Sequence, residues 1–394
     1  MKIAINGAGI AGPALAFWLS RSGHDILLIE QAPELRRGGY IIDFWSHGYD
    51  LAEKMGLLPE IFAAGYQVEE VRYVDSHGRK CGGFPVADLA VFTKGRFTSL
   101  RRSDLSAFIY RAVEDRIETL FGDSIATIRE DEHGLEVGFD HAASRRFDLV
   151  IGADGLHSRV RHIVFGPESD REFSLGCHVA AFEVEGYRPR DELIYLSHNL
   201  PGRQISRFCL RDDRVMVLLL FRDEFLDGAD LHSDAQRKAA LARVFANAGW
   251  EWPRIEALLP AVNDLYFDRV SQIRLPHWAR GRIALVGDAA ACVSLLAGEG
   301  VGLAMTEAYI LAGELHRSGN DFATAFRRYE ELLMPLLEQK QHTATRFASA
   351  FVPKTSLGIS FRNLVSRLLG IQRIADYFIG QAVRDDFTLP DYGF

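Results

Sequence analysis

Within the first thirty residues the hydrophobic pattern changes period twice. Residues 2–6 form a short β-prone run that ends directly in GAGIAG, residues 7–12. Ala11, Ala14, Leu15, Trp18 and Leu19 then recur at helical spacing and predict a helix with one apolar stripe. Pro13 stands near the expected helix start, where its missing N–H and fixed φ are tolerated. Gly23 is expected to end the helix in the left-handed conformation. Residues 26–29 read as a second buried strand that delivers Glu30 at its carboxyl end.

The pattern then loosens. A polar stretch, residues 31–37, leads through Gly38 and Gly39 to the run 40–45, and a helix is expected over 49–55 with Gly56 as its stop. Residues 68–75 and 80–86 alternate like paired strands around a turn at 76–79. RRSDL, residues 101–105, opens a helix with Ser103 as its expected N-cap. Residues 123–139 read as a hairpin turning at His133-Gly134, and 147–151 as a buried strand ending in GADG. From 173 to 275 strand-like runs crowd together, at 175–184, 192–197, 204–210, 215–221 and 265–273, with one helix at 233–248. At Arg282 the α/β alternation resumes: a strand at 283–286, then GDAAA, then the turn 298–302 opening a helix to about residue 316. After a break at Gly319-Asn320 a long helix covers 322–350, and Pro353 ends it. A last amphipathic helix is expected over 356–383, with Leu357, Phe361, Leu364, Leu368, Ile371, Ala375 and Phe378 on one side. The fold class is therefore α/β with an inserted, predominantly antiparallel sheet and C-terminal helices. There is no internal repeat.

The chemistry begins at the first turn. Gly7 permits a tight turn, Gly9 lets the backbone approach a pyrophosphate, and Gly12 lets helix and strand pack closely. The N–H groups of the following helix face the phosphates, and Glu30 is placed to accept from an adenosine ribose. A dinucleotide is implied, but this fingerprint alone does not separate NAD from FAD.

Composition narrows the classes. A formal charge of −8 with no basic block excludes a nucleic-acid binder. Four scattered cysteines without CxxC suit a reducing cytoplasm, and no run of about twenty apolar residues is present to span a membrane. The start lacks a basic leader beyond Lys2, so no export signal is read and a cytoplasmic location is expected. The 13 histidines show no HxxxH or HExxH spacing, and no metal site is inferred.

Three separated motifs now stand in order: GAGIAG with Glu30, GADGLHSRVR at 152–161, and GDAAA at 287–291. With them the sequence resembles the class A flavoprotein monooxygenases of the para-hydroxybenzoate hydroxylase type, over essentially the whole chain. Residues 308–315 and 328–335 and the C-terminal helices look like those of the tetracycline-inactivating and aromatic-polyketide-tailoring members. The resemblance implies FAD as cofactor, NAD(P)H as co-substrate, and dioxygen and an aromatic small molecule as reactants. It implies hydroxylation through a flavin C4a-hydroperoxide. By it, Gly7, Gly9, Ile10, Ala11, Gly12, Glu30 and Arg37 hold the ADP half of FAD, and Arg102 lies along the cofactor. Asp154 and Gly155 match the motif linked to FAD and NAD(P)H, and Gly287 and Asp288 match the ribityl-binding pair. It divides the chain into a discontinuous Rossmann-like FAD-binding domain, 1–172 and 276–320, a substrate-binding sheet domain, 173–275, and C-terminal helices, 321–394. Those helices either bridge the two domains, pack on the surface by their stripe, or lie on a membrane surface through Arg362, Arg367 and Arg373.

The turn holding Gly298, Gly300, Val301 and Gly302 has its own physical reading. It begins a helix, whose positive end suits the anionic edge of a reduced flavin. Here the chain also departs from the family pattern. Ala291, Val293, Leu295 and Glu299 replace the usual histidine, prolines and glutamine. The backbone carbonyl of Leu295 is the candidate to replace that of the family proline at the flavin. Asp43 and Trp45 lie on a segment expected near the ring, and Phe208, Met216 and Phe221 are candidate substrate contacts from the sheet. The departures keep a second function open, a flavin oxidase, dehydrogenase or reductase on the same scaffold, and a third, a flavin-binding protein that sequesters a ligand. The absence of a second dinucleotide fingerprint fits a transiently bound NAD(P)H. Both monomer and homodimer remain compatible with the sequence. Trp250-Glu251-Trp252-Pro253, with Lys80, imitates a flavin-dependent halogenase motif, but its spacing fails and helix-end packing accounts for it better.

Overall fold

The structure is a computed structural model that describes residues 1–36, 40–87, 93, 95–167, 171–319, 321–368 and 387–394. Lys2–Asn6 lies inside a six-stranded sheet ordered Ala279–Arg280, Ile283–Leu285, Leu149–Gly152, Lys2–Asn6, Asp25–Glu30, Glu118–Phe121. All neighbours are parallel except the first pair. Strands buried on both faces need near-continuous apolar runs, which IAI, ILLI, LVI and IAL supply. Asn6 pairs with Gly152 and Gly152 with Leu285, so the three motif turns leave the carboxyl ends of three adjacent strands. That end of an open α/β sheet is where ligands bind.

The helix Ala11–Arg21 crosses behind the first turn, and Gly23 follows it at φ 76° as expected. It carries no single stripe: every residue from Ala11 to Leu19 is buried. The helix Gly300–Ser318 packs on its far side, bringing the Tyr309 ring to 5.0 Å from Trp18, so both faces need apolar cover. Ser103 does not cap its helix, which spans Arg102–Arg111 with extended Arg101 as N-cap and no side-chain cap bond.

The second sheet has seven strands, ordered Tyr266–Ile273, Glu172–Glu185, Arg214–Arg222, Arg203–Cys209, Ile194–Leu200, Glu70–Val74, Lys80–Pro85. It is antiparallel except where Glu70–Val74 runs parallel to Ile194–Leu200. The hairpin turning at residues 76–79 thus extends the inserted sheet from outside its sequence range. One face packs on the helices Asp234–Val244 and Trp252–Leu258, with Trp252 buried in that core. The expected helix over 233–248 stops at Val244, and Asn247 in the left-handed region helps turn the chain. On the other face Ala181, Phe208, Leu210 and Met216 form a buried cluster with Tyr66, against which Tyr40 and Ile41 pack.

The long helix spans Phe322–Phe351, and the next one Ser356–Arg367. The apolar stripe of the latter does not pack: Leu357 is 83% exposed and Phe361 67%. Its polar side docks instead. Ser366 Oγ accepts from Gly83 N at 2.9 Å, and Asn363 Nδ2 approaches Cys81 Sγ at 3.3 Å. Ile371, Arg373, Ala375 and Phe378 lie outside the described residues. The final residues return to the first domain, where the Tyr392 ring lies flat on the helix at Gly313. A Cβ on Gly313 would stand 2.2 Å from that ring. No described helix is long and apolar enough to cross a membrane.

Candidate active site

The three turns meet at atomic distance. Gly7 has φ 112°, and a Cβ there would stand 2.4 Å from the backbone oxygen of Ala153, in the second motif. A Cβ on Gly12 would fall 1.9 Å from the Gly7 oxygen. A Cβ on Gly287 would reach the Ala11 methyl at 3.0 Å, which brings the third motif onto the first helix. Gly9 differs: among the described residues a Cβ added there would meet only Arg102 Nη2 within 4 Å, at 3.6 Å. The first turn is therefore tight on its protein side and open beneath a guanidinium, the setting a pyrophosphate needs. Ile10 and Ala11, both buried, begin the helix behind it.

Glu30 faces the same turn. Its Oε2 accepts from Ala8 N at 2.8 Å and its Oε1 from Ala32 N at 3.0 Å. It braces the glycine turn and keeps lone pairs for a ribose hydroxyl. Arg37 lies outside the described residues.

Asp154 is held within its own loop. Its carboxylate accepts from Asn6 Nδ2, Ser158 Oγ, Arg159 N and Val160 N at 2.5–3.1 Å. Those four donors make it brace the loop that leads into the helix Arg159–Phe165. Gly155 beside it takes φ 77° with nothing within 4 Å of a virtual Cβ. Arg161, 1% exposed, donates to Ala289 O at 3.1 Å and Leu156 O at 2.5 Å, tying the second motif to the third.

Asp288 is half-buried at the start of the short helix Asp288–Ala291. Burial pushes its carboxyl up, and the positive charge of Arg102 opposes the rise. Tyr40 stands in the same electrostatic neighbourhood, raised by burial to about 12, and its ring lies 5.6 Å from Tyr266. Neither tyrosine is marked by a motif.

The Gly298–Gly302 turn is wrapped by the segment from Asp43 to Gly48. Asp43, Phe44, Trp45, Ser46, His47 and Gly48 line one pocket with Gly298, Glu299, Gly302, Leu303 and Thr306. Gly48 and Gly302 meet backbone to backbone, since a Cβ on Gly48 would stand 2.7 Å from Gly302 Cα. The Trp45 ring covers Gly298 and stacks on Phe97 at 6.1 Å. Asp43 is exposed where it lines this pocket, with protein packed closely around its carboxyl. That setting raises its carboxyl, while Ser99 Oγ, donating at 2.5 Å, lowers it. Val301 is buried in the first helical turn, and no side chain caps this helix.

Leu295 opens the short 3-10 turn that leads into Gly298. Its side chain packs on the cluster of Cys177, Val179, Leu220, Val270 and Val352. Its carbonyl accepts from Gly298 N at 3.1 Å, closing the 3-10 turn Leu295–Ala297 rather than projecting freely. The preceding Ser294 is 4% exposed and takes φ 115°, a strained value for a non-glycine residue. Sequence reasoning missed Ser294 because nothing in a serine announces it.

In the seven-stranded sheet, Phe208 and Met216 are cross-strand partners and share a buried cluster with Tyr66 and Ala181. Phe221 does not join them. It lies five residues from Met216, so the two-residue period turns it to the other face, where it packs with Phe182 and Phe245. Two residues from Phe208 begins a polar row the sequence did not reveal. Gln204 Nε2 donates to Ser206 Oγ at 2.9 Å, Ser206 Oγ to Ser197 Oγ at 3.1 Å, and Asn199 Nδ2 to Ser197 Oγ at 3.2 Å. Arg362 ends the row, donating to Asn199 Oδ1 at 3.0 Å from above the Tyr73 ring.

A family model described as an FAD binding domain matches residues 1–324. A flavin-dependent monooxygenase of Legionella longbeachae is 31% identical over 405 residues, covering 100% of this chain and 98% of its own. The crystal structure of tetracycline destructase Tet(51) superposes with a TM-score of 0.83 at 31% identity, over 99% of this chain and 98% of its own. Klebsiella pneumoniae HpxO, complexed with FAD and uric acid, superposes at 0.78 with 25% identity, over 97% of both chains. The glycine cradle, the overlying Arg102 and the Asp288 carboxylate fit FAD.

Proposed function

Because the chain belongs to the FAD-binding-domain family of class A flavoproteins and is an FAD-dependent monooxygenase, we propose that it hydroxylates an aromatic or polycyclic small molecule at the expense of NAD(P)H. The balance is one substrate C–H, one dioxygen, one NAD(P)H and one proton giving C–OH, water and NAD(P)⁺. Bound FAD supplies the electron transfer and the activation of dioxygen.

The chain's own residues bind and orient. Gly7, Gly9, Ile10, Ala11, Gly12 and Glu30 would hold the adenosine end of FAD, and Arg102 would meet its pyrophosphate charge. Asp288 would accept from the ribityl hydroxyls, and Gly298, Gly300, Val301 and Gly302 would present N–H groups to the pyrimidine edge. Gly287 lets the third turn close on Ala11, while Asp154 and Gly155 shape the loop between.

Support for the substrate class comes from the sheet face turned away from the helices Asp234–Val244 and Trp252–Leu258. An apolar patch of Phe208, Met216 and Tyr66 beside the row Gln204, Ser206, Ser197 and Asn199 suits a flat, large molecule with oxygens along one edge. The relatives named for tetracycline and uric acid support such a substrate. A screen of polyphenols, anthracyclines and tetracyclines, following NAD(P)H oxidation with mass analysis of products, tests it. Substrate-stimulated consumption with one added oxygen supports hydroxylation, and no stimulation by any of the three classes counts against this substrate class. The turn at Leu295, whose carbonyl bonds Gly298 N, favours a second reading as a flavin oxidase, which would yield stoichiometric hydrogen peroxide.

A further inference from the structure

Glu299 occupies an awkward place. It stands between Gly298 and Gly300 as N-cap of the helix Gly300–Ser318, and it lines the pocket shared with Asp43, Trp45 and Thr306. A carboxylate at a helix N-terminus is stabilised by the same positive end that an anionic flavin edge would use. A bare Glu299 would compete with the reduced cofactor and repel it.

Lys340 answers this charge. Its Nζ lies 2.7 Å from Glu299 Oε2, and the side chains are only 11% and 12% exposed. It comes from the long helix Phe322–Phe351, forty-one residues away and outside all three motifs. A pair this secluded is weakly screened, and deleting one partner leaves the other's charge almost undiminished.

We propose that Lys340 is a positioning residue for the redox step: by neutralising Glu299 it leaves the positive end of the Gly300 helix free for the anionic reduced flavin, and so sets the reduction potential. This rests on the placement of the pyrimidine edge at Gly298–Gly302.

The test is the midpoint potential of protein-bound FAD by spectroelectrochemical titration, with no substrate and no turnover. Lys340→Met should disfavour two-electron reduction at least tenfold, a fall of about 30 mV. Lys340→Arg should restore most of it. Glu299→Gln, nearly the same shape, should raise the potential by a similar step because the carboxylate that offsets the Lys340 ammonium is removed. In the Glu299→Gln background, removing the Lys340 charge should return the potential to near that of the wild type. An unchanged potential in Glu299→Gln overturns the proposal even if Lys340→Met loses FAD or fails to fold. A double variant as low as Lys340→Met alone also overturns it. Wild-type protein that cannot bind FAD would instead sink the underlying site, a separable result.

Discussion

Glu307 Oε2 accepts the backbone N–H of Gly287 at 2.7 Å, joining the third motif to the helix that begins at Gly300. Tyr329 also reaches this carboxyl, at 3.3 Å, while bonding Leu285 O at 3.1 Å. The strand end, the turn bearing Asp288 and the helix over the flavin turn are thus one braced unit. Glu307 is 2% exposed, so the brace is internal and does not depend on solvent.

Burial pushes the Glu307 carboxyl up from 4.5 to about 8, against the pull of the Gly287 N–H. Between those values the folded protein holds a proton there that the unfolded chain has released. The stability from this group is full below about pH 4.5 and is lost as pH rises to about 8. Thermal unfolding measured from pH 5 to 8 should therefore fall more steeply in the wild type than in Glu307→Gln. Parallel curves would refute this assignment.

The glycines separate packing from binding. Gly12→Ala meets backbone at 1.9 Å and should destabilise the apoprotein by about 1–3 kcal/mol or more. Gly9→Ala meets only Arg102 Nη2, so apoprotein unfolding should barely change while FAD affinity drops. Paired unfolding curves and FAD fluorescence titrations of the two variants check both halves.

Much of the first domain was readable because its constraints are local. A strand, a turn that needs glycine and an acid at a strand end each leave a mark within a few residues. Register then brought GAGIAG, GADG and GDAAA together, as the motif order suggested. The polar row was not readable, since Ser197 and Ser206 meet only through strand pairing, and alternation within a fully buried sheet hides which face is the cleft. Phe221 was misassigned for that reason. Lys340 and Glu307 act across tertiary contacts with no spacing rule, although Thr306, one helical turn beyond Gly302, was open to helical periodicity. The C-terminal stripe misled because periodicity shows that a helix has two faces and not which one docks.

That docking gives a direct contrast. Phe361→Glu, on the exposed stripe, should change stability by no more than about 0.5 kcal/mol. Ser366→Val strands the Gly83 N–H and should cost about 1–3 kcal/mol. Chemical denaturation of both variants decides, and the reverse order would place the stripe, not the polar side, in the contact.

On the sheet wall, Gln204→Leu and Ser206→Ala should each lower kcat/KM for a hydroxylated substrate roughly three- to tenfold, the worth of one hydrogen bond. Basal NAD(P)H oxidation without substrate should stay the same. Phe221→Leu, on the opposite face, should reduce stability and leave KM unchanged. Steady-state kinetics beside thermal unfolding separates the two faces.

The most direct test of the account is turnover under ¹⁸O-labelled dioxygen with NAD(P)H and a substrate that stimulates its oxidation. One labelled oxygen atom in each product molecule, with one NAD(P)H consumed per atom inserted, is the predicted result. Unlabelled, unhydroxylated product with stoichiometric hydrogen peroxide would contradict hydroxylation and make the protein an oxidase on the same scaffold.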